Sequence, residues 1–500
     1  MPNGTQDIAY KELVTKNSGW AARWLARVLF TVGAFGLLSD LAHNRTIIRG
    51  DGWEYLCQLE SLYRHASPEL RPADVDAVNA LTVPHGLGPV PQPPIAIGYH
   101  EAPNGEFYGI HFWGYALTAI PAKGWLQAQG GNELAALPVT NAVWFLLALG
   151  VVLFAWEAPW AKRLAYAGLT AIGPVLWYLE FTGSEVFSWA FIIMAIVAYD
   201  SNRYTLCSAA AALAALQNPT LIFFCAAGIA LAIRDGRWKS AVAATFTTGI
   251  AFLPVAYCQY QFGRSSLIAD GFVSVSYMSW AKTWGYAFDF NQGLICYVPL
   301  LLLGACVGAV RIIIAGSGKG ILMLLTIAAV ALATEMQVNW NSGCLGIQRY
   351  LIWQIPGIAW VMLEGLGTSW LARIYTVVTI LSSGLIAFIG LPSDSYVEHH
   401  PVARWVLTHY PRLYYPEPEV FIERQIQTEL PWPRIYPLPV GFADPEGNIT
   451  KVLVDGEDLD AVAETFMATP EYLATLRTEA ARHGRFFYSH PPRGSLRIRR

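Results

Sequence analysis

The sequence predicts an all-α polytopic membrane bundle of about eleven spanning helices, followed by a small C-terminal α+β domain outside the bilayer. Three observations predict it. First, 54% of the 500 residues are hydrophobic and only 14% charged, where soluble domains carry roughly a quarter charged residues. Second, apolar runs long enough to cross a bilayer, or to cross it within a bundle, recur between 20 and 391. Third, the segment from Pro392 to Arg500 turns abruptly rich in proline, tyrosine and charge. Two units follow: 1–391 as the transmembrane module and 392–500 as the extracytoplasmic domain.

Mean hydropathy is +0.36, and the net charge of -3 gives no reason to propose nucleic acid as a partner. Nineteen tryptophans and 24 tyrosines suit aromatic belts at the membrane interfaces. The seven cysteines form no CxxC pair and show no metal-ligand spacing, which argues against structural zinc. Cys57 and Cys344 fall on the same predicted side, where a disulfide is conceivable.

The predicted spans are 20–41, 137–157, 163–181, 185–200, 204–217, 219–234, 239–259, 293–314, 319–337, 349–367 and 370–391. Lys11, Lys16, Arg23 and Arg27 precede or enter the first, which at Trp20 to Leu41 is too long for a cleaved signal peptide and reads as a retained helix. Gln217, Asn218 and Pro219 turn the two shortest spans into a helical hairpin. With the N-terminus cytoplasmic, every inner connection is basic: Lys162 with Arg163, Arg203, Arg234 with Arg237 and Lys239, Arg311 with Lys319, and Arg373. The outer turns at 182–184 and 217–218 carry no basic residue. Eleven crossings then place the C-terminal domain outside.

Three outer loops remain: 42–136, 260–292 and 339–348. In the first, Trp53 to His65 and Phe107 to Leu126 read as amphipathic helices lying on the membrane surface, the second interrupted by Gly114, Pro121 and Gly124. No solenoid-type repeat is present.

Candidate chemistry concentrates in four places. Asp51-Gly-Trp-Glu54-Tyr55 reads either as a capped helix start or as a carboxylate acting as general base. Ser184-Glu185, with Glu180 and Thr182 nearby, reads either as a helix start favoured by the dipole or as an acid at bilayer depth with a function. Asp289-Phe-Asn291 is first of all a cap, with Lys282 and Arg264 in the same loop as phosphate or headgroup partners. The run Trp340-Asn341-Ser-Gly343-Cys-Leu-Gly346-Ile-Gln348-Arg349-Tyr350 ends on an arginine suited to a phosphate, or able to snorkel to headgroups. His111 lies among aromatics as an interfacial side chain or a cation. The sequons at Asn44 and Asn448 are uninformative.

Taken in order over 20–391, these motifs resemble the GT-C superfamily of membrane glycosyltransferases, which includes protein O-mannosyltransferases, the aminoarabinose transferase of lipid A and oligosaccharyltransferases. Asp51-Gly-x-x-Tyr55, Tyr108-Gly-Ile-His111, Ser184-Glu185 and the Trp340 to Tyr350 run carry the resemblance. It implies a polyprenyl-phosphate-sugar donor, a glycan, lipid or protein acceptor, and one inverting displacement. Asp51 would be the base; Glu54 and Glu185 would orient hydroxyls. Arg349, then Lys282 and His111, would stabilise the leaving phosphate, with Tyr55, Tyr350, Trp340, Asn341, Asp289 and Asn291 lining the site. It also implies a bacterial inner membrane, with the C-terminal domain periplasmic. The family's Asp-x-Asp or Asp-Glu pair is absent, so a divalent metal has no support. A transporter, a scaffold that presents the C-terminal domain, and a polymerase or ligase of lipid-linked glycans are the alternatives.

Overall fold

The computed structural model describes residues 24, 26–43, 46–94, 98–341, 343–389, 396–430, 435–483 and 485–498. Lys11, Lys16, Arg23, Asn44 and the predicted domain boundary near Pro392 lie outside them.

Among the described residues, four helices are long and apolar enough to cross a membrane: Glu133–Ala155, Trp238–Phe262, Gly318–Glu335 and Trp370–Ile389. Tyr204–Ala215, Pro219–Arg234, Pro299–Ile314 and Ile355–Leu366 are shorter and equally apolar. Their outward faces expose Phe246, Leu303, Ile314, Leu381 and Phe388. Apolar side chains in such numbers on so many neighbouring helices would be unstable against water. Facing lipid they cost nothing, and the chain is an integral membrane protein.

Glu185–Asp200 is buried almost all round, from Val186 to Tyr199. A helix apolar on every face belongs at the centre of a bundle, and this one packs against its neighbours Ala136–Gly150 and Tyr204–Ala215. Pro299–Ile314 and Ile355–Leu366 approach so closely that a Cβ on Gly365 would stand 2.2 Å from the Cα of Gly308. Small residues one turn apart, Gly304 and Gly308, permit that contact.

Proline sites break several predicted spans. The segment 163–181 is helical over Trp160–Ala171, then re-forms as a 3-10 turn over Pro174–Tyr178. The segment 293–314 divides into Leu294–Tyr297 and Pro299–Ile314. The residue before a proline is driven out of the helical region, and Val298 has ψ of 53°. The start of 349–367 is a separate turn, Arg349–Ile352, before Ile355–Leu366.

The first large loop differs most from expectation. Gly52–His65 is a helix, but it is embedded in protein, with Glu54 through Leu62 buried, rather than laid on the membrane. The segment expected as one helix from Phe107 to Leu126 begins as a strand, Phe107–Gly109, and continues as two short helices, Gly114–Thr118 and Ile120–Ala128. That strand is the centre of an antiparallel sheet between Glu69–Leu70 and Tyr99–Glu101. A helix at Pro72–Thr82 completes the loop. The buried face of Gly52–His65 is covered by this small subdomain, so its apolar side is met by protein.

The C-terminal region is α+β, as expected. An antiparallel sheet has Ile449–Asp455 between Val440–Ala443 and Phe486–Ser489, and a second pair joins Phe466–Ala468 to Leu496–Ile498. Two apolar clusters sit inside it, one around Phe421, Ile422 and Leu453, the other around Val452, Tyr472 and Leu476. The seven cysteines are all free; Cys57 and Cys344 are buried and unbonded to each other.

Candidate functional site

The helix start at Gly52 forms without help from Asp51, whose side chain makes no capping bond. The Asp51 carboxylate turns instead to Arg349, which donates from Nη1 to Oδ2 at 3.0 Å. The same Nη1 lies 3.8 Å from Glu185 Oε1. His111 Nε2 lies 3.6 Å from Asp51 Oδ2. Four ionisable side chains from four distant places in the sequence thus form one cluster. Asp51 is the open member, with 33% of its side chain exposed against 14% for Arg349.

Glu54 stands one helical step behind. It is 1% exposed and both its oxygens are engaged with His111. The His111 backbone N–H donates to Oε1 at 2.8 Å, and the ring Nδ1 lies 2.7 Å from Oε2. Gln58 Nε2 donates to Glu54 Oε1 at 3.1 Å and to the His111 carbonyl at 2.8 Å. The space behind this carboxylate is filled by backbone. A Cβ on Gly98, which has φ of +76°, would stand 2.4 Å from Glu54 Oε2, so both conformation and room demand glycine there. Gln58 was not anticipated; its one signal is a polar side chain four residues after Glu54 on the same helical face.

Charge at the site follows from this packing. Burial disfavours the protonated His111 ring, but Glu54 and Asp51 together override it and hold its pKa up at about 9. Burial alone would raise the Asp51 carboxyl; His111 and Arg349 more than offset it, and its pKa falls below the ordinary value. Glu54 goes the other way, because burial outweighs the attraction of His111. At neutral pH Asp51 is therefore an anion between two cations.

Not every valence is filled. Among the described residues, Glu185 Oε2 and Arg349 Nε are buried without a hydrogen-bond partner. Unpaired buried polar atoms are uncommon and mark places where a ligand or water is expected. Tyr55 borders the cluster, its hydroxyl donating to Gln217 Oε1 at 3.2 Å, while Gln217 Nε2 holds the Phe112 carbonyl at 2.8 Å. Gln217, read from sequence as only a hairpin turn, thus ties the hairpin to the His111 segment. Tyr350 packs beside Arg349, whose Nη2 lies 3.5 Å from the phenol oxygen.

The remaining predicted site residues lie elsewhere. Asp289 Oδ1 accepts the N–H groups of Asn291 and Gln292 at 2.7 and 2.9 Å, the local turn expected of it, and Oδ2 accepts the Tyr414 hydroxyl at 2.9 Å. Asn291 donates to the same Tyr414 oxygen at 2.6 Å. Trp340 and Asn341 give their backbone N–H groups to Glu419 at 3.0 and 2.8 Å. These four residues dock the C-terminal region onto the bundle. Lys282 is buried and donates to the carbonyls of Glu335 and Gln337 at 3.2 and 2.7 Å, closing the end of Gly318–Glu335. Arg264 is exposed, 3.8 Å from Asp270. Among the described residues no three His, Cys, Asp or Glu side chains converge as a metal-ligand set.

The opposite end of the bundle carries another charge cluster. Asp200, at the far end of the helix that Glu185 begins, accepts from Lys162 at 3.1 Å and from the indoles of Trp156 and Trp360 at 3.1 and 3.0 Å. The 16 residues from Glu185 to Asp200 span about 24 Å, so the two clusters sit at opposite sides of an apolar layer.

Apolar helices with a cluster of ionisable side chains, partly exposed at Asp51, beside one end define the class: an integral membrane protein with a polar cluster at one face. No protein-family model and no curated protein matches the chain. Among solved structures it is similar to ArnT from Cupriavidus metallidurans bound to undecaprenyl phosphate, at 16% identity and a TM-score of 0.41, over 74% of this chain and 65% of that one. It is also similar to the archaeal oligosaccharyltransferase AglB from Archaeoglobus fulgidus in complex with an inhibitory peptide and a dolichol-phosphate. There the identity is 12% and the TM-score 0.41, over 85% of this chain and 62% of that one. The chain spans less than two thirds of the length of either.

Proposed function

We propose that the protein is a membrane glycosyltransferase that moves a sugar from a polyprenyl-phosphate donor to an acceptor hydroxyl at the outer face, with Asp51 as general base. The observation that carries this reading is the Asp51–Arg349–His111–Glu185 cluster, partly open and with unmet hydrogen-bonding valences, at one end of an apolar bundle.

In the resting site Arg349 neutralises Asp51. A donor phosphate is a better partner for a guanidinium than a single shared carboxylate oxygen, because it offers two oxygens to the fork. Arg349 turned to the phosphate leaves Asp51 with one cation fewer and correspondingly more basic. Asp51 takes the proton of the acceptor hydroxyl while the acceptor oxygen bonds to the anomeric carbon. The bond from that carbon to the phosphate oxygen breaks, and polyprenyl phosphate departs with both electrons. One displacement inverts the anomeric centre. Arg349 and the His111 cation stabilise the charge growing on the phosphate. Glu54 acts through His111 by holding its ring and charge, and Glu185, with one free oxygen, orients a hydroxyl.

The basic inner connections support a cytoplasmic N-terminus and an outer-face site. Such a protein belongs in a plasma membrane, with 392–500 as an extracytoplasmic domain.

The test uses purified protein in lipid nanodiscs with a panel of polyprenyl-phosphate sugars and acceptors. Mass spectrometry follows release of polyprenyl phosphate. The expected result is acceptor-dependent release that Asp51→Asn removes. Uptake of solute into proteoliposomes with no sugar transfer would sink the proposal.

A further inference from the structure

The residues that dock the C-terminal region do not grip the bundle at random; they grip the loop that ends in Arg349. Glu419 is 1% exposed and sits on the helix Pro418–Ile426. Its two oxygens accept the successive N–H groups of Trp340 and Asn341, one each. The Asn341 side chain is then held at both ends. Its Nδ2 donates to Glu423 Oε2 at 2.6 Å, and its Oδ1 accepts from Arg424 Nη1 at 2.6 Å. All three charged residues of this helix are buried.

From that clamp the loop runs directly to the site. Gln348 Nε2 donates to the Trp340 carbonyl at 2.9 Å, closing 340–348 into a ring. The Gln348 side chain also accepts the N–H of Tyr350 and so caps the turn that begins at Arg349. Inside the ring Gly343 has φ of +71°, and a Cβ there would stand 3.1 Å from Arg349 Nη1. The loop whose first residues Glu419 holds thus places Gly343 beside the Arg349 guanidinium. Tyr178 pins the other side, its hydroxyl accepting the Leu345 N–H and donating to the Ile347 carbonyl, both at 3.0 Å.

We propose that Glu419, with Glu423 and Arg424, is a positioning residue for Arg349, so that the C-terminal domain completes the phosphate-binding site of the membrane module. The inference rests on the glycosyltransferase reading for the identity of the ligand. It does not rest on that reading for the coupling between Glu419 and Arg349. A loop of this length with two glycines, Gly343 and Gly346, samples many conformations when free. Fixing two adjacent N–H groups and one side-chain amide at its start removes that freedom before a ligand arrives, which is where affinity for an anion is gained.

The test is a double-mutant cycle on the full chain in nanodiscs, read in two ways. In the first, affinity for undecaprenyl phosphate is measured for wild type, Glu419→Ala, Arg349→Ala and the double variant. Glu419→Ala should weaken binding about tenfold, and the double variant should bind no worse than Arg349→Ala alone. In the second, ligand-free thermal unfolding is compared across the same four proteins, and the two shifts should again fall short of adding. Glu419→Gln, which keeps one good acceptor, should lie between wild type and Glu419→Ala and guards against a variant that fails to fold. Tyr414→Phe, which loosens the domain at Asp289 and Asn291 without touching the loop, should leave affinity within twofold. Multiplying affinities and additive thermal shifts would overturn the proposal, as would a Tyr414→Phe effect equal to that of Glu419→Ala. If wild type does not bind undecaprenyl phosphate but the thermal cycle is still non-additive, the donor assignment falls and the coupling stands.

Discussion

Two regions of this protein bury charged side chains against loops, and they do so to opposite ends. Around Asp289 and Glu419 the valences are matched: each Asp289 oxygen accepts at least one bond, and Glu419 gives one oxygen to each of two backbone N–H groups. Around Asp51 the charges are close but incompletely matched. Arg349 shares one nitrogen between two carboxylates at 3.0 and 3.8 Å, and Glu185 Oε2 has no partner. Matched buried charge fixes a structure, whereas unmatched buried charge is costly unless something else completes it. The same residue types therefore dock one region and stand incompletely matched in the other, and the hydrogen-bond inventory separates them where residue type does not.

The comparison predicts different kinds of damage. The largest effect should come from Asp51→Asn, which lowers turnover by about 10²–10⁴-fold if the base is lost, with little change in thermal stability. Arg349→Ala should follow at about 10²–10³-fold. A large stability loss without loss of turnover in either variant would erase the distinction. Asp289→Ala should do the reverse. It strands buried donors from Asn291, Gln292 and Tyr414, at a cost of about 1–3 kcal/mol each where no water replaces the carboxylate. The readout is thermal unfolding and the susceptibility of the C-terminal region to limited proteolysis.

A fourth prediction concerns pH. The folded His111 pKa is about 9 against an ordinary 6.5, so its ion pairs add stability that is fully present below about 6.5 and lost as pH rises through about 9. Wild type should lose thermal stability relative to His111→Gln between those values. Parallel curves would show that the ring is not held as a cation. The smallest effect on binding should come from Lys282→Met. Its ammonium closes a helix end rather than facing the cluster, so the variant should lose stability yet keep its affinity for undecaprenyl phosphate.

The membrane character, the mixture of helices and strands in the C-terminal region, and Asp51 and Arg349 as separate candidates were legible in the sequence; that the two side chains meet was not. Composition and apolar run length carry the first, a shift in composition the second, and a carboxylate and an arginine beside predicted spans the third. Other features were not legible. Asp289, Asn291, Trp340 and Asn341 carry the same local signals as site residues: polar or aromatic side chains in a loop at a helix mouth. Nothing in their spacing shows that Tyr414 and Glu419 lie opposite. The Phe107 to Leu126 segment has helical composition, yet its first residues form a strand because Glu69–Leu70 and Tyr99–Glu101 offer backbone partners on both sides.

Sequence by itself determined that this chain is an integral membrane protein, which stretches are apolar, and which residue types carry charge near their ends, because hydropathy and charge are local properties summed over short windows. Only the tertiary structure decided which charges meet. Asp51 and Arg349 are 298 residues apart, and Glu419 and Asn341 are 78 apart. Those contacts depend on how the helices pack, and a hydrogen bond counts as matched or unmatched only once both partners have been placed.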